Sequence, residues 1–306
     1  MLAPKGTAMT LFHRVRSTLM HLFVAFALLA GAVLLFRAVL LPALQALLGF
    51  DAFATSMLRR IGIVLSALLA YWAYVRWIER RAVSELRLVV RMTVFAGVAG
   101  AAMIGACLLV LYAAGVYVVT AYRGLGPHLF GVAMVIVIAA VLEEIAYRGL
   151  MFGIVERAFG TSPALWLQAL VFALMHIANV EDRAGTLAQI TTVISGVLLG
   201  ALWTLLYVHT RNLWAVAAHH AAWNYTILLT GLPLSGLDDW RAIAPLASEM
   251  RGPGWLTGDV FGPEDAILTM LFVAIAVVLL QRVARQRGRW RRGQGADQPA
   301  ARVVAT

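Results

Sequence analysis

His128-Leu-Phe-Gly-Val-Ala-Met-Val-Ile-Val-Ile-Ala-Ala-Val-Leu-Glu-Glu-Ile-Ala-Tyr-Arg-Gly-Leu-Met-Phe152 is an apolar run broken by two adjacent carboxylates and an arginine. As a helix it is long enough to cross a bilayer core of about 30 Å. Charges at that depth are expensive, roughly 2.5–3.5 kcal/mol each unless paired or hydrated. Glu144 and Arg148 are four residues apart and share a helix face, with the glutamate on the favourable N-terminal side. Glu143 lies about 100° further round and five residues from Arg148, so it is less well neutralised. The spacing predicts a structural Glu144–Arg148 pair and leaves Glu143 available as a base.

The rest of the chain has the same character. Hydrophobic residues make up 62% of the 306 and charged residues only 13%, with a mean hydropathy of +0.84. A soluble protein of this length cannot hide so much apolar surface, so lipid must form part of its solvent. The expected fold class is all-α, a polytopic transmembrane helix bundle of about eight spans. They are expected near 19–41, 61–78, 92–118, 128–152, 163–179, 187–208, 212–230 and 265–281. Arg37 and Pro42 interrupt the first run, so 38–50 is an alternative interfacial helix. The net charge of +10 sits in clusters between apolar runs, which argues for membrane topology and against nucleic acid. The single cysteine, Cys107, excludes an internal disulfide.

The arginines set orientation. With both termini cytoplasmic, that side holds Arg14, Arg81, Arg157, Arg211 and the basic tail; the other side receives fewer, among them Arg60, Arg123 and Arg241. The expected organisation is a cytoplasmic N-terminal segment (1–18), N-terminal transmembrane helices (19–120) and a polar-cored helical unit (128–230). An extracytoplasmic loop (231–264), a last transmembrane helix (265–282) and a basic tail (283–306), disordered from Gly288 onward, complete it. The loop carries Trp240, Trp255 and five acids including Glu264; it is read as a connector, with a lid over a substrate entrance as the sharper alternative.

Two later runs add polar groups. Phe172-Ala-Leu-Met-His176 buries a histidine, and His220 and Asn224 stand four apart on one face of the run at 212–230. A lone membrane histidine is usually a helix-to-helix hydrogen bonder. Here, at 1.5 Å per residue, Glu143, His176, His220 and Asn224 all fall about 12–20 Å from the ends of their runs, at similar depth. Groups from three spans can therefore meet in one buried pocket. Glu143 and His176 suit activation of water, and His220 with Asn224 suits stabilisation of an oxyanion. The same Glu143, His176 and His220 supply three possible zinc ligands with an open fourth position. The metal-free version, with no cofactor, is favoured because asparagine is a poor zinc ligand and a good oxyanion donor. Other hydrolytic arrangements lack support: there is no HExxH, Ser195-Gly196 lacks the preceding glycine of GxSG, and Gly258-Asp259 falls in a loop.

The order EExxxR (Glu143, Glu144, Arg148), FxxxH (His176) and HxxxN (His220, Asn224), each in its own apolar run, resembles the CPBP family of intramembrane proteases. This is also the CAAX-protease, bacteriocin-processing or abortive-infection family. The resemblance covers residues 128–230. It implies that Glu143 is the catalytic glutamate, Glu144 and Arg148 its motif partners, His176 the aid to water, and His220 and Asn224 the oxyanion pair. Family members have been read both as metalloproteases and as glutamate proteases, so zinc stays open. The expected activity is endopeptidase cleavage of a membrane-associated peptide or protein, in a bacterial inner membrane. The alternatives are an immunity, resistance or scaffold protein of the same fold, and a proton-coupled transporter. The want of internal repeats weighs against the transporter.

Overall fold

The computed structural model describes residues 5–293. Eight helical rods run up and down among the described residues, close to the eight apolar runs read from the sequence. α1 begins as Lys5–Leu35, passes through a π-helical turn, Phe36–Leu40, and ends as Leu41–Leu48. α2 is Ala52–Ala73 with a π-helical end, Tyr74–Ile78, and α3 is Val90–Ala113. α4 starts as His128–Glu144, widens into a π-helix at Ile145–Phe152 and finishes as Gly153–Phe159. α5 is Thr161–Ile177, α6 Thr186–Thr210, α7 Leu213–Thr230 and α8 Ile267–Gln286. The chain is an all-α membrane bundle.

Six rods, α1 to α4, α6 and α8, are long and apolar enough to cross a membrane by length and composition. α5 is shorter, and α7, with its His-His-Ala-Ala-Trp-Asn stretch, does not meet the same criterion. Those two carry the histidines and the asparagine. α7 can be polar because it is wrapped by α3, α4 and α6, so its side chains face protein more than lipid.

Small residues set the close crossings. A Cβ on Gly196 or Gly200 of α6 would lie 2.8 or 2.9 Å from the Cα of Ala173 or Ala169 on α5. This small-xxx-small seam, of the kind that brings membrane helices together, fixes the height of His176, one turn beyond Ala173. Gly100 of α3 likewise lies against the backbone of His219 on α7. The start of α7 is clamped: Asn212 caps it by accepting from the Ala215 amide at 2.9 Å and donates to the Arg87 carbonyl at 2.6 Å.

Several features differ from the sequence reading. Arg37 and Pro42 do not end the first helix; the π-helical turn just before Pro42 absorbs the proline's missing hydrogen bond, and the rod continues. The third run stops at Ala113, and β1 (Tyr117–Tyr122) follows. It pairs antiparallel with β2 (Leu246–Met250), which lies inside the 231–264 loop. The loop is thus a folded cap. Its Arg241 bonds the carbonyls of Gly231 and Ser248, and Asn179, just past α5, donates to Ser235. The tail expected to be disordered from Gly288 is docked at 289–293. The Arg291 amide donates to Thr161, its carbonyl accepts from Thr161, and its guanidinium lies 3.8 Å from the buried Glu156. A buried carboxylate at the helix ends gives these basic residues a partner. Residues 294–306 of the expected tail lie outside the described residues.

Candidate active site

α4 places its two carboxylates in different surroundings. Glu144 and Arg148 are fully buried, and Arg148 Nη1 donates to Glu144 Oε1 at 3.0 Å. Arg148 also reaches across to α6, donating from Nη2 to the Gly200 carbonyl at 3.1 Å. Its guanidinium lies over the rings of Phe172 and Trp203, 5.0 and 5.7 Å from their centroids. Glu143, one residue earlier, keeps 32% of its side-chain surface. Its Oε2 is enclosed and has no hydrogen-bond partner. The charged pair is therefore Glu144–Arg148, and Glu143 stands apart, as the helical spacing predicts.

His220 ties α7 to both glutamates. Nδ1 is 2.8 Å from Glu144 Oε1, and Nε2 faces Glu143 Oε2 at 4.0 Å. The first is a hydrogen bond. The second is too long for one, so His220 and Glu143 face the same space without saturating each other. A bond from Nδ1–H to Glu144 fixes the tautomer and the ring plane, as a carboxylate partner does for many reactive histidines. Sequence spacing gave Glu144 only to Arg148; its second partner comes from α7 and has no signal in the sequence.

An aromatic wall holds the histidines. The indole of Trp203 stacks on His220 with centroids 3.8 Å apart and planes 24° from parallel. Its Nε1–H donates to His219 Nδ1 at 3.1 Å. His219 is thus an acceptor that anchors Trp203. Phe172 lies against both histidines, 4.3 Å from the His176 ring and 6.5 Å from the His220 ring. His176 is half-buried and donates from Nδ1 to the Phe172 carbonyl at 2.8 Å, leaving Nε2 free. Neither His176 nor Asn224 forms an ion pair or hydrogen bond with the glutamates. Asn224 Oδ1 is buried and unbonded one turn beyond His220.

The sequence reading gave Trp203 and Glu264 no role at the site. Trp203 has no motif around it. Glu264 comes from the cap, is buried, and accepts from Trp223 Nε1 at 3.1 Å and from the Ser235 amide at 2.9 Å. Trp223 neighbours Asn224 in the chain, so Glu264 fixes that end of α7. Its carboxyl is raised above the ordinary range, chiefly by burial, with partial relief from the Ser235 bond.

Among the described residues no three His, Cys, Asp or Glu side chains group so as to hold a metal ion. His220 has Nδ1 committed to Glu144 and His176 has Nδ1 committed to a carbonyl, and each ring keeps Nε2 open.

Residues 125–226 match the family model described as Rce1-like, type II CAAX prenyl endopeptidase. The matched segment holds all six candidate residues. No curated protein matches the chain.

Proposed function

From an Rce1-like, CPBP-type segment at residues 125–226 in a helical membrane bundle, we propose that the chain is an intramembrane endopeptidase of the glutamate type. The observation that carries this reading is the unbonded Oε2 of Glu143, 4.0 Å from His220 Nε2, beside the paired Glu144 and Arg148.

The Glu143 carboxylate takes a proton from water as the water oxygen attacks the scissile carbonyl carbon. His176, held by the Phe172 carbonyl, accepts from the same water through Nε2. The new C–O bond moves an electron pair onto the carbonyl oxygen, where Asn224 and His220 donate hydrogen bonds. Collapse of that intermediate breaks the C–N bond, and the amine leaves with the proton held by Glu143. His220 can donate from Nε2 only if both its nitrogens carry protons, because Nδ1–H is given to Glu144. No step passes through a metal.

The family model's description makes prenylated CAAX-type peptides the first substrates to test, with other lipid-anchored or membrane-embedded peptides next. We place both termini on the cytoplasmic side, from the arginine distribution. Comparative proteomics of membranes from cells producing either the wild type or Glu143→Gln tests the reading. Peptides whose cleavage depends on Glu143 are the expected result; identical peptide sets in both would sink it.

A further inference from the structure

The basic end of the bundle contains a cavity about 21 Å from Glu143 along α4. It has a volume of about 570 Å³ and lies between the start of α1, the end of α2 and the end of α4. Arg14, His21, Arg81 and Arg157 line it, with Glu79 as the one acid. Glu79 accepts from Arg81 at 2.6 Å and from Arg157, and so holds two guanidinium groups side by side. Arg14 makes no ion pair among the described residues. Arg81 is also paired with Glu85 at 2.7 Å, so three arginines face two carboxylates and the net positive charge left rests on Arg14.

A second depression lies next to it along the same two helices. Leu22, Phe23, Phe26 and Ala27 of α1, with Met151 of α4, form an apolar groove of about 370 Å³. On α1 these residues follow the cavity residues Arg14 and His21; on the antiparallel α4, Met151 precedes the cavity residues Ile154 and Arg157. Both steps lead away from the basic end towards the middle of the bundle. From Arg14 to Ala27 the path is about 20 Å. A charged cavity at the surface, continued by an apolar groove running inward, has the shape and polarity of one phospholipid.

We propose that α1, α2 and α4 form a specific site for an anionic diacyl phospholipid. Its phosphate lies between Arg14 and Arg157, and one acyl chain lies in the groove lined by Phe23, Phe26 and Met151. The guanidinium groups recognise phosphate oxygens by charge-assisted hydrogen bonds, and the groove distinguishes a lipid from free phosphate. The site is remote from Glu143 and independent of the proposed proteolysis.

The test is native mass spectrometry of the full chain released from vesicles containing equal phosphatidylcholine and phosphatidylglycerol. One retained phosphatidylglycerol per chain is expected. Arg14→Gln should weaken retention about fivefold, the worth of one cationic contact near a membrane surface. Ala27→Trp, which fills the groove and leaves every charge in place, should also release the lipid. Thermal melting with inorganic phosphate alone should show no protection. Equal retention of both lipids, or wild-type retention by both variants, would overturn the proposal. Protection by phosphate alone that survives Ala27→Trp would overturn it in favour of a free-anion site.

Discussion

Glu144 Oε1 lies 2.8 Å from Nδ1 of His220, and the same oxygen accepts from Arg148 at 3.0 Å. One buried atom thus joins α4 to α7 and fixes the ring whose other nitrogen faces Glu143. Glu144 and Arg148 are paired and buried, and the two adjacent glutamates sit in different surroundings although a residue-type comparison makes them equal.

Glu144→Gln should leave Arg148 buried without its counter-charge. Breaking a buried pair from one side costs about 3–5 kcal/mol. Arg148→Met should be destabilising for the reciprocal reason, and the double variant less so than the sum of the two. Thermal unfolding of the purified variants in one detergent checks this. A Glu144→Gln protein as stable as the wild type would contradict the structural role.

Trp203 separates stacking from hydrogen bonding. Trp203→Phe keeps a ring against His220 and loses the bond to His219; activity should persist, with a stability loss of about 1–3 kcal/mol. Trp203→Leu removes the stack as well and should lower kcat while leaving KM nearly unchanged. Steady-state kinetics on a reconstituted substrate distinguishes them. Equal kcat in the two variants would show that the stack does not orient His220.

The fold class, the Glu144–Arg148 pair and the apartness of Glu143 were legible because helical geometry is local. A four-residue spacing fixes a shared face whatever surrounds it, and an apolar run declares its solvent. What could not be read depends on contacts distant in sequence. The bond between Glu144 and His220 spans 76 positions, and Trp203 meets its histidines from another helix. The pairing of Tyr117–Tyr122 with Leu246–Met250 was hidden for the same reason, as was the docking of 289–293 against Thr161. The small residues that set the α5–α6 crossing look like ordinary membrane-helix composition until Gly200 is seen against Ala169.

The cap should make stability depend on pH. Asp265 precedes α8 and accepts from Thr192 at 2.6 Å and from Ser195. Burial, aided by nearby Glu264 and opposed by those hydroxyls, pushes its carboxyl up to about 7. Between the unfolded value of about 4 and about 7, the folded state keeps a proton that the unfolded chain has lost. Stability is therefore full below pH about 4 and falls as pH rises, by up to about 1.4 kcal/mol per unit. Asp265→Asn should flatten that slope. Melting temperatures across this range check it; a wild-type slope retained by Asp265→Asn would assign the effect elsewhere.

Chelation tests the metal-free chemistry. Protein washed with a strong chelator and analysed for metal should retain its peptidase rate. Stoichiometric zinc lost together with activity, and both restored by added zinc, would overturn the glutamate-type mechanism and make Glu143, His176 and His220 the ligands to examine.

The most direct measurement is the cleavage rate of a prenylated CAAX-type peptide by purified Glu143→Gln protein in vesicles, beside its melting temperature. Loss of general-base catalysis should lower kcat by about 10²–10⁴-fold, with folding and membrane insertion unchanged. Cleavage by Glu143→Gln at the wild-type rate would contradict the assignment of Glu143 as the base.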